Sequence, residues 1–423
     1  MKIGILGHGF MEWGGGIDFL RIVADSLLVA DPNIELHFLF PIAGPRYQTR
    51  MQLRRLKKVV YKGLGRPYAD NKAPNWHHLE DLVSSIGGKS YAHRIDTGMG
   101  ALRHATKKYQ LDVLLPSINP LKDQTVPWIG YLYDYQHAYY PDFFTPEEIA
   151  TRNAQFQDML ASASHVIVNA QAVADDIKRF HPEHQAEIIV LPFSAAPNPK
   201  WLELGPADLE KHGITCPYFI ISNQFWQHKD HITAWHALSL VLRHNPDVQL
   251  VCTGETHDYR NPDHFSNLMQ LAERLKIMHQ LKILGLIPKD EQISLVRSAV
   301  AMVQPSLFEG GPGGGSVFDA ISLGVPCIVS DVKVNLELNE PIVTFFKARD
   351  PASLAEEMLK ALVQKDSRTH PLPAELISLG TDRRRLCGTA LLDTIRSIIF
   401  ESQQTSGTKP STLRQRSPRR RTT

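Results

Sequence analysis

Residues Val303–Asp331 read VQPSLFEGGPGGGSVFDAISLGVPCIVSD: an apolar run, one acid, a glycine-rich turn, an amphipathic segment and a second apolar run. That order predicts strand, loop, helix and strand, the unit from which parallel sheets are built. Glycines let backbone come close to a charged ligand. A helix opening near Gly315 or Ser316 aims unpaired N–H groups and the positive end of its dipole at such a ligand. Glu309 and Asp319 flank the turn. A carboxylate beside a phosphate is unfavourable unless it grips something else, and sugar or ribose hydroxyls are the natural partners. The segment suggests a nucleotide-sugar pocket, although an ordinary tight turn of an α/β domain is also glycine-rich. It is neither GxxxxGK[ST] nor a GxGxxG within one βαβ unit.

The same alternation extends outward in both directions. In the first half, strands are expected at Lys2–Leu6, Glu35–Phe40, Val113–Pro116, Trp128–Tyr131, His165–Asn169 and Glu187–Leu191. Helices are expected at Ile17–Ala30, Trp76–Ser84, Pro146–Ala161 and Ala172–Phe180, with irregular loops around 42–75. Proline, glycine and charge interrupt the pattern in PFSAAPNPKWLELGP, which places a linker near Ser194–Leu204. It then resumes with strands at Tyr218–Ser222, Val248–Cys252, Leu281–Leu284, Ala301–Gln304, Cys327–Ser330 and Val343–Phe346. The intervening helices are His231–Arg243, His264–Leu275, Lys289–Ser298, Ser316–Leu323 and Pro351–Val363, and a last one covers roughly Asp382–Ser402. The fold class is α/β: two Rossmann-like, doubly wound domains, 1–195 and 205–380, facing each other across a cleft. A C-terminal helix (381–402) that could cross back and a disordered basic tail (403–423) follow.

At 423 residues two domains are the default expectation. Four separated cysteines with no CxxC pair point to a reducing cytoplasm and away from structural zinc. The opening MKIGILGHGF does not read as a secretory signal, and no stretch reaches the ~20 apolar residues that span a bilayer. Peripheral contact with the inner membrane face stays open. Residues 403–423 hold six of the 46 Lys and Arg and no acid, leaving 40 basic against 44 acidic side chains in the rest. A near-neutral body with a basic tail is not a specific nucleic-acid binder.

Further site candidates lie where strands are expected to end. Gly14, Gly15 and Gly16 precede the first amphipathic helix and could bring backbone to a ligand in the cleft. Asp134 and His137 follow strand Trp128–Tyr131 in the aromatic run YDYQHAYYPDFF. An imidazole there can hydrogen-bond a sugar hydroxyl and titrates near working pH, whereas the plainer alternative is a satisfied loop histidine. Asn223, Gln224, His228 and Lys229 occupy the loop FIISNQFWQHKDH, where a lysine can neutralise a diphosphate both bound and departing, or simply be solvated. Gly254 and Gly285 end two other strands and leave room for a base or ribose, with Ile287 as an apolar face.

Taken together, Pro305, Ser306, Phe308, Glu309, Gly310, Asp319, Gly324, Val325, Pro326, Ser330 and Asp331 resemble the retaining GT-B glycosyltransferases, in particular glycosyltransferase family 4, the group 1 family. The likeness is clearest over 218–351. It implies a retaining transfer of a hexosyl unit from a nucleotide-diphosphate sugar to a glycan, lipid-linked or small-molecule acceptor, without cofactor or metal. By this resemblance Glu309 and His137 face the donor sugar and Asp319 the ribose. The Gly313, Gly314, Gly315 and Ser316 amides and Lys229 face the diphosphate. The second acid is aspartate rather than the usual glutamate and lies ten residues after Glu309 rather than eight. An arginine expected before the lysine loop is replaced near Asn223–Gln224. The competing readings are a nucleotide-sugar epimerase on the same frame and a non-catalytic sugar-nucleotide-binding subunit.

Overall fold

A computed structural model of the chain describes residues 1–12, 15–63, 74–122 and 124–407. It contains two all-parallel sheets. The first comprises β1 (Lys2–Leu6), β2 (Glu35–Ala43), β3 (Lys89–Asp96), β4 (Val113–Ser117), β5 (Trp128–Tyr131), β6 (His165–Val168) and β7 (Glu187–Val190), in the order β3-β2-β1-β4-β5-β6-β7. The second comprises β8 (Tyr218–Ser222), β9 (Gln249–Thr253), β10 (Leu281–Gly285), β11 (Met302–Gln304), β12 (Cys327–Ser330) and β13 (Val343–Phe346), in the order β10-β9-β8-β11-β12-β13.

Both orders reverse direction once, between β1 and β4 and between β8 and β11. Loops leaving the carboxyl ends of the strands on either side of such a reversal diverge and open a crevice. In the second sheet those loops are 223–230, after β8, and 305–313, after β11.

The central strands are continuous apolar runs because helices cover both faces. Ile3, Ile5, Leu36, Phe38 and Val113 are buried in one core, and Phe219, Ile221, Leu250, Val303 and Ile328 in another. Local chemistry sets several helix starts. Thr145 accepts from the Glu148 amide while Glu148 accepts from the Thr145 amide, a capping box ahead of Pro146–Ser162 that contributes about 1 kcal/mol. Asp350 does the same for Pro351–Gln364 by accepting from the Ala352 and Ser353 amides.

Three features depart from the sequence expectation. The region 42–75 is not loop throughout, since Pro45–Gly63 is a helix. Strand β3 and the helix Met99–Tyr109 were not foreseen. The last helix is longer, Pro373–Gly407, so the part of the basic tail from 403 to 407 is helical and the remainder lies outside the described residues. This helix runs from the second half to the first. Leu376 approaches Gly324, while Leu391, Leu392, Ile395 and Ile398 join the core of Ile3 and Ile5. Gly388 sits hard against helix Gly16–Ala30, where a β-carbon would meet the Ser26 carbonyl oxygen at 1.8 Å. Among the described residues no helix is long and apolar enough to cross a membrane.

Candidate functional site

The crevice of the second sheet is built around Gln304, the last residue of β11, which is fully buried. A buried amide must find partners for its oxygen and its nitrogen. Its Oε1 accepts from Asn223 Nδ2 (2.6 Å) and from Ser316 Oγ (3.3 Å), and its Nε2 donates to Glu309 Oε1 (2.7 Å). Glu309 Oε1 also accepts from Lys229 Nζ at 2.5 Å. Both members of this ion pair are largely buried, with side-chain exposures of 13% and 8%. The loop after β8 and the loop after β11 therefore meet through one connected polar network. A backbone bond from the Leu307 amide to the His228 carbonyl (2.8 Å) ties them again.

The glycine turn is divided between two tasks. Gly313 and Gly314 have φ of 72° and 67°, a left-handed conformation that L side chains adopt only at a cost, and they launch helix Gly314–Ser322. The Gly313 amide is already bonded to Asn335 Oδ1 (2.9 Å) and the Gly314 amide to the Gly311 carbonyl (3.2 Å). Among the described residues the Gly315 and Ser316 amides carry no hydrogen bond. The expected four-amide cradle is thus narrowed to two, because Asn335 and Gly311 have taken the others. Gly310 has a different reason to be glycine. A β-carbon there would lie 2.9 Å from the Tyr133 carbonyl oxygen and 3.0 Å from Asp134 Oδ2, so the first half comes up against the acid-glycine turn.

Asp134 therefore faces the site. Burial pushes its carboxyl up, the nearby Glu309 adds to this, and the Gln136 amide, Arg152 and Lys229 oppose it. Tyr140 donates to the Leu307 carbonyl (3.2 Å), and the Tyr139 and Tyr140 rings lie 5.9 and 6.1 Å from Phe308.

His137, expected from the sequence beside the donor sugar, is buried among residues of the first half. Its side chain is buried, Nε2 is 2.9 Å from Asn153 Oδ1, and the ring packs on Tyr135, Phe144 and Phe156. The short helix Gln136–Tyr139 turns it back against helix Pro146–Ser162, and the position beside Phe308 falls to the tyrosines. Desolvation lowers its pKa, so the imidazole is held neutral.

Asp319 lies one helical turn into Gly314–Ser322 and is paired with Lys289, whose Nζ also sits 5.4 Å from the Trp201 ring. Burial raises the Asp319 carboxyl, Lys289 opposes the shift, and Asp18 of the first half adds to it. Gly254 has φ of 131° and leaves no room for a β-carbon, which would meet the Asn223 carbonyl oxygen at 2.1 Å. That approach positions the loop bearing Asn223. Gln224 is exposed, and Ile287 packs partly buried on the second half's core beside exposed Leu286. Gly15 caps helix Gly16–Ala30 without a side chain, Gly16 packs on the Phe10 carbonyl, and Gly14 lies outside the described residues.

The sequence reading missed Gln304, Lys289, Asn335 and Arg260. Arg260 follows β9, pairs with Asp258, stacks over Trp226 (4.8 Å) and reaches across to Gln136 Oε1 (3.4 Å). Gln304 had one available signal: a polar residue inside the apolar run before Pro305.

Residues 207–373 match the family model for glycosyl transferases group 1. No curated protein sequence matches the chain. Several solved structures share its architecture. A sucrose-phosphate synthase from Thermosynechococcus elongatus is 15% identical, with a TM-score of 0.56 over 96% of this chain and 98% of its own. A glycosyltransferase from Rickettsia africae is 12% identical, with a TM-score of 0.56 over 96% and 97%. HepE of Anabaena, solved with UDP-glucose, is 13% identical, with a TM-score of 0.56 over 97% and 100%. The two parallel sheets have the GT-B arrangement of these glycosyltransferases.

Proposed function

We propose that the protein is a retaining glycosyltransferase that moves a hexosyl unit from a nucleotide-diphosphate sugar to a glycan or lipid-linked acceptor. The observation that carries this reading is the meeting of Lys229, Glu309, Gln304 and Asn223 beside the opening of helix Gly314–Ser322, within the stretch that matches the group 1 model. HepE was solved with UDP-glucose, which makes a uridine nucleotide the first donor to test.

When the glycosidic bond to the diphosphate breaks, negative charge grows on the leaving oxygens and positive charge on the anomeric carbon. In this reading Lys229 and the Gly315 and Ser316 amides meet the first. Glu309 suits the sugar: it accepts hydroxyl hydrogen bonds and sits on the side where cationic character develops. Its present bond to Lys229 would be exchanged for one to the donor. Asp319 holds the ribose in this reading, with Lys289 opposing the upward shift that burial gives its carboxyl. No metal is required if these groups neutralise the diphosphate.

The test is incubation with UDP-, GDP- and dTDP-sugars, with and without glycan or lipid-linked acceptors. Acceptor-dependent release of nucleoside diphosphate, with the product's anomeric configuration unchanged by NMR, is the expected result. An epimerised sugar nucleotide formed without acceptor would overturn it.

A further inference from the structure

Helix Pro45–Gly63, PRYQTRMQLRRLKKVVYKG, has seven basic residues and no acid. Four of its apolar residues are not directed inward as a core helix requires. Leu53, Leu56, Val59 and Val60 are 57%, 66%, 70% and 50% exposed, while Tyr47, Met51 and Arg54 are the partly buried positions. At 100° per residue the four exposed apolar side chains fall within a stripe of about 120°. Arg46, Arg50 and Lys57 border one side of that stripe and Arg55 the other.

We propose that this outward face docks on an anionic lipid bilayer. An apolar stripe between cationic flanks meets both of its needs at such a surface. The stripe enters the acyl boundary, and the long basic side chains extend to the phosphates. A second copy of the chain fits poorly, since it would oppose cations to cations. A nucleic acid would meet the charge and leave the apolar stripe in water.

The helix starts two residues after the carboxyl end of β2, and Arg50 Nη1 is bonded to Glu12 Oε1 (3.1 Å) in the loop after β1. Docking would thus bring the rim of the cleft towards the membrane. The inference does not depend on which reaction the cleft performs.

The test is flotation of the full-length protein with vesicles of phosphatidylcholine alone and of phosphatidylcholine with phosphatidylglycerol. Three variants are compared: Leu53→Ser with Leu56→Ser and Val60→Ser; Arg55→Gln with Lys57→Gln; and Arg419→Gln with Arg420→Gln and Arg421→Gln in the tail. All of the helix positions are exposed, and circular dichroism checks that each variant is folded. Binding is expected only to the anionic vesicles, to fall ~10-fold or more in both helix variants, and to survive the tail substitutions. An environment-sensitive dye on Leu56→Cys, with Cys216→Ser, should shift to the blue on those vesicles alone. The proposal is overturned if the helix variants float like the parent, if the tail variant alone abolishes flotation, or if the protein binds RNA and no vesicles.

Discussion

Lys229 and Glu309 lie eighty positions apart in sequence and form one buried ion pair, Nζ to Oε1 2.5 Å, across the point where the second sheet reverses its strand order. The pair places a cation and an acid side by side at the carboxyl edge of β8 and β11. In the absence of a ligand each neutralises the other. A diphosphate sugar can divide them, the lysine going to phosphate and the acid to hydroxyls.

Replacing Lys229 with Met should therefore lower turnover by about 10²–10³-fold through loss of charge stabilisation at the leaving group. It should also destabilise the fold by about 3 kcal/mol, because Glu309 is left buried without its cation. Lys229→Met combined with Glu309→Leu should recover much of that stability and none of the activity. Urea titrations and initial rates on the two singles and the double separate a structural ion pair from a catalytic one.

If Lys229 and the Gly315 and Ser316 amides neutralise the diphosphate, chelation should leave the rate within about twofold of its starting value. Initial rates before and after EDTA, with Mg²⁺ and Mn²⁺ added back, check this. A collapse restored only by a divalent ion would show that the protein groups do not suffice.

Gly314→Ala should be damaging despite its small size. The left-handed backbone there costs an L residue about 1–2 kcal/mol. The added β-carbon would also lie 2.8 Å from Glu309 Oε2 and displace the acid. A lower melting temperature together with roughly tenfold weaker donor binding is expected. Gly315→Ala, with open space around it, should leave stability nearly unchanged.

What could be seen in the sequence depended on where each signal came from. Strand β12, Cys327–Ser330, is buried along its whole length and reads as an apolar run, so its limits were legible. Strand β3 is at the sheet edge, with half-exposed residues that include Lys89, His93 and Arg94, and it carries no such run. The helix Pro45–Gly63 was hidden because its apolar face is turned away from the core. Lys229 and Glu309 were legible because both follow strands that flank the reversal. The packing of His137 on Phe156 was not legible, since the short helix Gln136–Tyr139 that sets the direction of its ring has no signal of its own in the sequence. Gln304 lies within a strand, and its partners are set by tertiary packing alone.

Stability should fall as the solution is acidified from pH 8 to pH 5. His231 is fully buried between Phe225 and Trp235, and burial lowers its pKa from 6.5 to about 3. Between those values the unfolded chain binds a proton that the folded chain refuses. Stability is therefore present above 6.5 and declines as pH drops below it. This residue alone contributes about 2 kcal/mol of that loss by pH 5. His231→Phe should flatten the pH dependence of the melting temperature by a matching amount, with little change at pH 8.

Closure of the two halves should depend on Glu337. Helix Gln171–Phe180 begins after Ala170 with no side-chain cap, and two of its first amides are met from the other half of the molecule: Gln171 N–H donates to Glu337 Oε2 (2.8 Å) and Ala172 N–H to Oε1 (2.7 Å). A carboxylate at a helix N-terminus satisfies orphan donors and opposes the dipole, worth about 1–2 kcal/mol in a partly buried setting. Lys333 pairing with Asp175 (2.7 Å) is a more exposed neighbour and contributes less. Glu337→Ala should shift the population towards open forms about 5–30-fold, the range that such an energy sets. A larger radius of gyration by small-angle scattering without ligand is the expected result. Because opening separates Asp134 and Tyr140 from the Leu307–Gly310 turn, the variant should also need more nucleotide sugar to reach half-maximal rate. An unchanged radius with an unchanged KM would show that the other contacts between the halves hold them closed without this cap.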